Sequence, residues 1–150
     1  MKEFFLLPAF IVLLLRPVEE KLPSVIDDDY NTYCSCIDMG VINQNQVDQY
    51  DYIATIAVTS VASHDNNLVI SATVKQTFKG ESVDIISLTT PADGASCGLS
   101  FRNGEEWLLY AYGDLDHLSS GLCTRSVRYG IDNTIYKQRL KQDLAFLKNM

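Results

Sequence analysis

Two of the chain's four cysteines, Cys34 and Cys36, are separated only by Ser35, while the other two, Cys97 and Cys123, lie far downstream. Thiols form disulfides, hold metals or act as nucleophiles, and their spacing selects among these chemistries. A ring closed between Cys34 and Cys36 is strained, which disfavours one of the three possible pairings and leaves two. In either of those, one short segment is stapled to two distant parts of the domain. Structural thiolate metal sites usually place about two to four residues inside each cysteine pair, so a single intervening serine argues against that use. Gly94-Ala95-Ser96-Cys97-Gly98 matches the G-x-S-x-G pattern of a nucleophile elbow. That pattern works at a strand-to-helix turn of a parallel sheet, with an acid and then a histidine downstream. Here the surroundings are β-rich, only His117 follows, and Cys97 is expected in a disulfide, so no catalytic residue is expected. His64 beside a turn and His117 at a strand start read as surface residues. Glu105, Glu106, Asp114 and Asp116 flank turns and read as solvated charges. The sequence has no phosphate loop, no H-E-x-x-H helix and no basic–aromatic stripe, so neither a cofactor nor a nucleic-acid partner is expected.

Disulfides persist only in an oxidising compartment, which makes the N-terminus informative. Phe4 to Leu15 is an apolar run of twelve, preceded by Lys2 and interrupted by Pro8. A membrane-spanning helix needs roughly 20 apolar residues, so this run reads as the core of an export signal rather than a stable span. The expected organisation is a signal-like segment at 1–16, an acidic linker at 17–33 containing Asp27-Asp28-Asp29, and one domain at 34–150. The expected location is secreted, extracellular or periplasmic. From Cys34 onward, 13 acidic against 9 basic residues give a net charge of −4, which offers no footprint for nucleic acid or an anionic membrane. A hydrophobic content of 47% supports a folded core. The domain is expected to be a monomer.

The elements that must carry the staples read mainly as strands. Tyr52 to Ser63 is rich in β-branched and small apolar residues, and Asp65-Asn66-Asn67 has turn composition. Leu68, Ile70, Ala72, Val74 and Phe78 then alternate with polar residues, the period of a half-buried antiparallel strand. Val83–Thr90, the continuously apolar Trp107–Tyr112 and His117–Arg125, which carries Cys123, complete five strands. Short connections and the need to remove exposed edges suggest a small closed barrel. Ile42 to Gln49 is a weakly patterned helix candidate. Asp132 or Asn133 can cap a C-terminal helix in which Ile135, Leu140, Leu144 and Leu147 recur near helical spacing. That helix reads as a lid on the barrel rather than a partner-binding surface.

The Cys-Ser-Cys opening, "VISATVKQTFKG", "TTPADGASCG", "EEWLLYAYG" and "SSGLC", in that order, resemble the tissue inhibitors of metalloproteinases. The resemblance covers about residues 34–127, and the closing "RLKQDLAFLKNM" is similar to the tail helix of short, bacterial-type relatives. It implies a netrin-like domain, a five-stranded Greek-key barrel of the oligonucleotide/oligosaccharide-binding type, with a peripheral C-terminal helix. It also implies the pairing Cys34–Cys97 and Cys36–Cys123. In that family the α-amino group and carbonyl of the first cysteine chelate the target's catalytic zinc, and the next side chain enters the specificity pocket. Carried over, Cys34 is the chelator and Ser35 the pocket residue. Cys36, Ile37 and Asp38 run along the cleft, and Ala95 and Ser96 form the flanking ridge. The chain holds no metal of its own in this reading.

Thirty-three residues precede Cys34, and an amide nitrogen does not chelate zinc as an amine does, so inhibition of this type requires a chain start at Cys34. The third disulfide of the animal inhibitors' N-terminal domain is absent. Three function classes remain, of which a hydrolase using Ser96 is expected to show no turnover, and two stand as expectations. The first is a secreted inhibitor of zinc metalloproteinases, and the alternative is a non-inhibitory envelope or extracellular module whose barrel surface binds protein or glycan.

Overall fold

Two long strands, β1 (Tyr52–His64) and β2 (Asn67–Lys79), form the central antiparallel hairpin in a computed structural model that describes residues 34–150. The expected export segment at 1–16 and linker at 17–33 lie outside the described residues. The chain reverses at Asp65, whose φ of 53° is one that short polar side chains tolerate. The register slips at three places, between Ile53 and Ala54, Thr55 and Ile56, and Val58 and Ser60. Each irregularity bends the hairpin and adds twist. At its far end Gly80 takes a φ of +95°, and an added Cβ would stand 2.5 Å from the Tyr52 ring.

β3 (Ile85–Pro91) pairs antiparallel with β2, and β4 (Glu106–Ala111) antiparallel with β1. Two short strands finish the edges: β5 (Leu118–Ser119) runs parallel to β3, and β6 (Val127–Arg128) antiparallel to β4. The result is a mixed six-stranded sheet in the order β5-β3-β2-β1-β4-β6. One further bridge joins Tyr112, just after β4, to Ser119, with reciprocal backbone hydrogen bonds of 2.9 Å.

This corrects the expectation of five strands in a closed barrel: among the described residues there are six strands, and their ladders do not close. The cause is local to the expected last strand, His117–Arg125. Thr124 N donates to Gly121 O in a turn, and the Ser120, Thr124 and Ser126 hydroxyls bond to nearby backbone, competing with a ladder. Within that segment only Leu118–Ser119 pairs as a strand; β6 begins two residues past its end on the opposite edge of the sheet, and Cys123 lies in the loop between the two.

Each face of the sheet carries its own apolar cluster. Tyr52, Ile56, Ile70, Leu88, Phe101, Trp107 and Leu109 meet on one. Ile53, Leu108, Tyr110, Val47 and Leu147 meet on the other, beneath two helices. The unbroken apolar run of β4 follows from this, since alternate residues point into different cores and neither face meets water.

The helices are α1 (Gln44–Asp48) and α2 (Thr134–Leu147). α1 is shorter than the expected Ile42–Gln49 and is held by a capping box. Asn43 Oδ1 accepts from Gln46 N (3.1 Å), and Gln46 Oε1 accepts from Asn43 N (3.2 Å). α2 is capped by Asn133, whose Oδ1 accepts from Ile135 N at 2.9 Å. Leu140, Leu144 and Leu147 pack inward as expected of a lid, but Ile135 is 68% exposed. Five residues before Leu140, it lies about 140° around the helix from the packed face.

Candidate functional site

The segment Cys34–Val41, here the strap, has no regular secondary structure, so its position depends on what ties it down. Disulfides join Cys34 to Cys97 and Cys36 to Cys123, across sequence separations of 63 and 87. These are the partners the family resemblance implies. Closing loops of such length removes denatured-state entropy worth on the order of 4 kcal/mol each, with shared loop residues making the sum smaller. The sulfurs cluster, with Cys34 Sγ 3.8 Å from Cys123 Sγ. All four are in disulfides, so they offer no thiolate to a metal.

Cys97 sits in a loop shaped for a close approach. Its φ is 60°, and an added Cβ on the next residue, Gly98, would fall 1.9 Å from Pro91 O. Asp93 organises this loop, accepting from Ser96 N (2.7 Å) and from Ser96 Oγ (3.2 Å). The Ser96 hydroxyl is therefore engaged by a carboxylate of its own turn. Cys97 O accepts from Leu122 N at 2.7 Å, which ties the two disulfide-bearing loops together. Ser35, Ile37 and Asp38 on the strap and Ala95 and Ser96 on the loop are all exposed, and Ile37 is 90% exposed. Tethered backbone with displayed side chains is an arrangement suited to docking.

Past Cys36 the strap meets a buried charged network. Arg125, two residues after Cys123, is 1% exposed and Asp143 on α2 is 0% exposed. The Arg125 Nε and Nη2 donate to the two carboxylate oxygens of Asp143 at 2.9 and 2.6 Å. Nη1 donates to the strap carbonyls of Met39 (3.3 Å) and Gly40 (3.1 Å). Tyr110 Oη donates to Asp143 Oδ2 at 2.9 Å, and Tyr50 Oη accepts from Arg125 N at 3.2 Å. Gln46 Nε2 also donates to Met39 O. No buried side-chain nitrogen or oxygen lacks a partner among the described residues.

Burial alone would lower the guanidinium's pKa, but the hydrogen bonds and charge of Asp143 outweigh it and hold the pKa above its ordinary value. Burial first, then the Asp143 carboxylate, pushes the Tyr110 phenol far up. Tyr50 is pushed up to about 12, mainly by burial and then by Tyr112.

The loop bearing Cys123 and Arg125 is itself immobilised. Ser120 Oγ and Ser126 Oγ donate to Tyr110 O at 2.9 and 3.1 Å, and Thr124 Oγ1 donates to Gly121 O at 2.8 Å. Across the strap's other side, Asp38, Gly40 and Val41 face Ile135, Arg139 and Gln142 of α2 over a shallow groove of about 180 Å³.

Glu105 and Glu106 are not the freely solvated charges expected from their turn. Glu105 accepts from Arg102 N, Trp107 Nε1 and Arg128 Nη1, and Glu106 pairs with Lys75. His64 and His117 are exposed, as expected. Sequence reasoning missed Arg125, Asp143, Tyr50 and Tyr110. The available signal was Asp143 itself, a carboxylate set among Leu140, Leu144 and Leu147 on the packed face of a helix.

Neither a family model nor a curated protein matches this chain.

Proposed function

We propose that this domain is a disulfide-stapled binding module that presents the edge Cys34–Asp38, flanked by Ala95 and Ser96, to a protein partner. Its specific form is inhibition of zinc metalloproteinases, as in the tissue inhibitors it resembles. One observation carries the reading: the strap is covalently pinned at Cys34 and Cys36 while Ser35 and Ile37 stand in solvent. A pre-ordered edge loses little conformational entropy on association, so its contacts convert efficiently into affinity. The activity needs no turnover chemistry and no resident cofactor. The strand order β5-β3-β2-β1-β4, with the Tyr112–Ser119 bridge linking β5 back towards β4, supports a partly open Greek-key barrel of the netrin-like kind. Two disulfides are compatible with a secreted or periplasmic location.

In the proposed mechanism a protein starting at Cys34 offers its α-amine and carbonyl to the target's zinc, and Ser35 enters the adjoining pocket. The test is an inhibition panel of zinc metalloproteinases with oxidised protein beginning at Cys34. Slow-dissociating inhibition is expected, and it should disappear when one residue is added ahead of Cys34. An untouched panel removes the inhibitor reading.

A second reading is favoured by the 33 residues that precede Cys34 in the sequence and leave its nitrogen an amide. In that case the module binds an extracellular protein or glycan without chelation. Binding retained by the full-length chain on a glycan array or an envelope-protein blot separates it from the first.

A further inference from the structure

We infer that Arg125, oriented by Asp143, is the positioning residue that fixes the displayed pair Ile37–Asp38. The inference rests on the strap being the binding edge and adds how that edge is held. Cys36 anchors the strap to Cys123, and Arg125 anchors it again at Met39 and Gly40 from only two residues farther along the same loop. Ile37 and Asp38 are the residues between those anchors, and both are exposed.

The chemistry of the guanidinium suits this double duty. One edge of its planar fork, Nε and Nη2, is taken bidentately by Asp143, which sets the plane. Nη1 is thereby aimed at two successive strap carbonyls. Tyr110 holds Asp143 in turn, and the Tyr50 hydroxyl takes the Arg125 backbone N–H. The chain is continuous: helix α2 positions Asp143, Asp143 orients Arg125, and Arg125 places the strap. A lysine cannot reproduce it, because an ammonium has no fork to divide between a carboxylate and two carbonyls.

A buried ion pair is weak evidence for stability, since apolar residues of similar volume often replace both partners without loss. That property separates positioning from mere support. In Arg125→Met/Asp143→Leu the core stays filled and Cys36–Cys123 stays closed, while the strap loses its Arg125 hydrogen bonds and keeps the Gln46 amide on Met39. The buried Tyr110 hydroxyl loses its Asp143 acceptor.

The experiment compares wild type, this double variant and Arg125→Lys, all oxidised and beginning at Cys34. Each is assayed by thermal melting, by backbone amide relaxation of Ile37–Val41, and by inhibition of a zinc metalloproteinase panel. The double variant is expected to stay folded and to melt about 5–10 °C below wild type, the fall set by the Tyr110 hydroxyl left without its acceptor. Its strap amides are expected to become mobile, and inhibition to weaken about ten-fold from the added ordering loss. Arg125→Lys guards against misfolding of the double variant, since it keeps a cation beside Asp143, and its strap is also expected to loosen. Wild-type order of Ile37–Val41 in both variants overturns the inference. A loosened strap with unchanged inhibition overturns it too. If wild type inhibits no enzyme of the panel, the inhibitor reading falls alone, and the relaxation data still decide the role of Arg125.

Discussion

On one face of the sheet, Ile56, Ile70, Leu88 and Leu109 close against Phe101 and Trp107 in a cluster of apolar side chains. On the other, Ile53, Leu108 and Tyr110 meet α1 and α2 around the buried pair Arg125–Asp143. The first core needs only volume and shape, which non-directional burial rewards. The second adds directional hydrogen bonds, and these run outward to the strap. Burial holds the sheet together on both faces, and the first also seats the Cys97 loop through Leu99 and Leu122, but the second face alone adds an ionic, hydrogen-bonded route to the strap at Met39 and Gly40.

Breaking each face separately tests that division. Asp143→Ala leaves the Arg125 guanidinium buried without its carboxylate and is expected to cost about 3–5 kcal/mol in urea denaturation. Leu109→Ala on the first face opens a cavity and is expected to cost about 2–5 kcal/mol. The two energies overlap, so the distinguishing measurement is exchange of the strap amides Met39–Val41 under native conditions. Asp143→Ala should accelerate it, and Leu109→Ala should leave it near wild type. Equal acceleration in both would show that the two faces act as one core.

Alkaline titration addresses the second face alone. Tyr50 has a folded pKa pushed up to about 12, and Tyr110 is raised farther, both chiefly by burial. A raised folded pKa means that the native state binds the proton more tightly than the unfolded chain does. The associated stability is fully present below about pH 10 and is lost as pH climbs through the folded values. From Tyr50 alone the expected loss between pH 10 and 12 is about 2–3 kcal/mol. Phenolate absorbance should show three late-titrating tyrosines, because burial and then Glu106 also raise Tyr129, and a titration in which all eight ionise together near pH 10 would contradict the packing of this face.

A smaller change concerns the helix that supplies Asp143. Asn133→Ala removes the side chain that accepts from Ile135 N and Tyr136 N at the start of α2. The expected loss is about 1 kcal/mol by chemical denaturation. Because Asp143 lies nearly three turns away, strap exchange should respond less than it does to Asp143→Ala.

The first core was largely legible in the sequence, and the second was not. The alternation from Leu68 to Val74 marks one face of β2, and the unbroken run Trp107–Ala111 marks a strand covered on both sides. Cap and turn chemistry placed α2 and the β1–β2 reversal within a few residues. What failed was the segment after His117, because strand propensity does not anticipate serine and threonine hydroxyls turning back onto the Tyr110 carbonyl. The strap's covalent anchors were visible as cysteines. Its ionic anchor was not, since Arg125 and Asp143 are 18 residues apart and charged residues default to solvent unless a partner is known.

The smallest expected effect on stability falls on the residue most exposed between the anchors. Ile37 is 90% exposed, so Ile37→Ser removes almost no buried area and should change unfolding free energy by no more than about 0.5 kcal/mol. Binding should respond in the opposite proportion. If Ile37 enters a partner's cleft, truncation at the centre of a small pre-ordered edge costs more than about 1 kcal/mol, roughly a ten-fold loss in affinity. A variant with wild-type melting and weakened inhibition places Ile37 in the interface that both sulfurs and Arg125 hold in position. Wild-type inhibition by Ile37→Ser would instead confine the contact to Cys34 and Ser35, and the ionic anchor would then serve the lid helix rather than the partner.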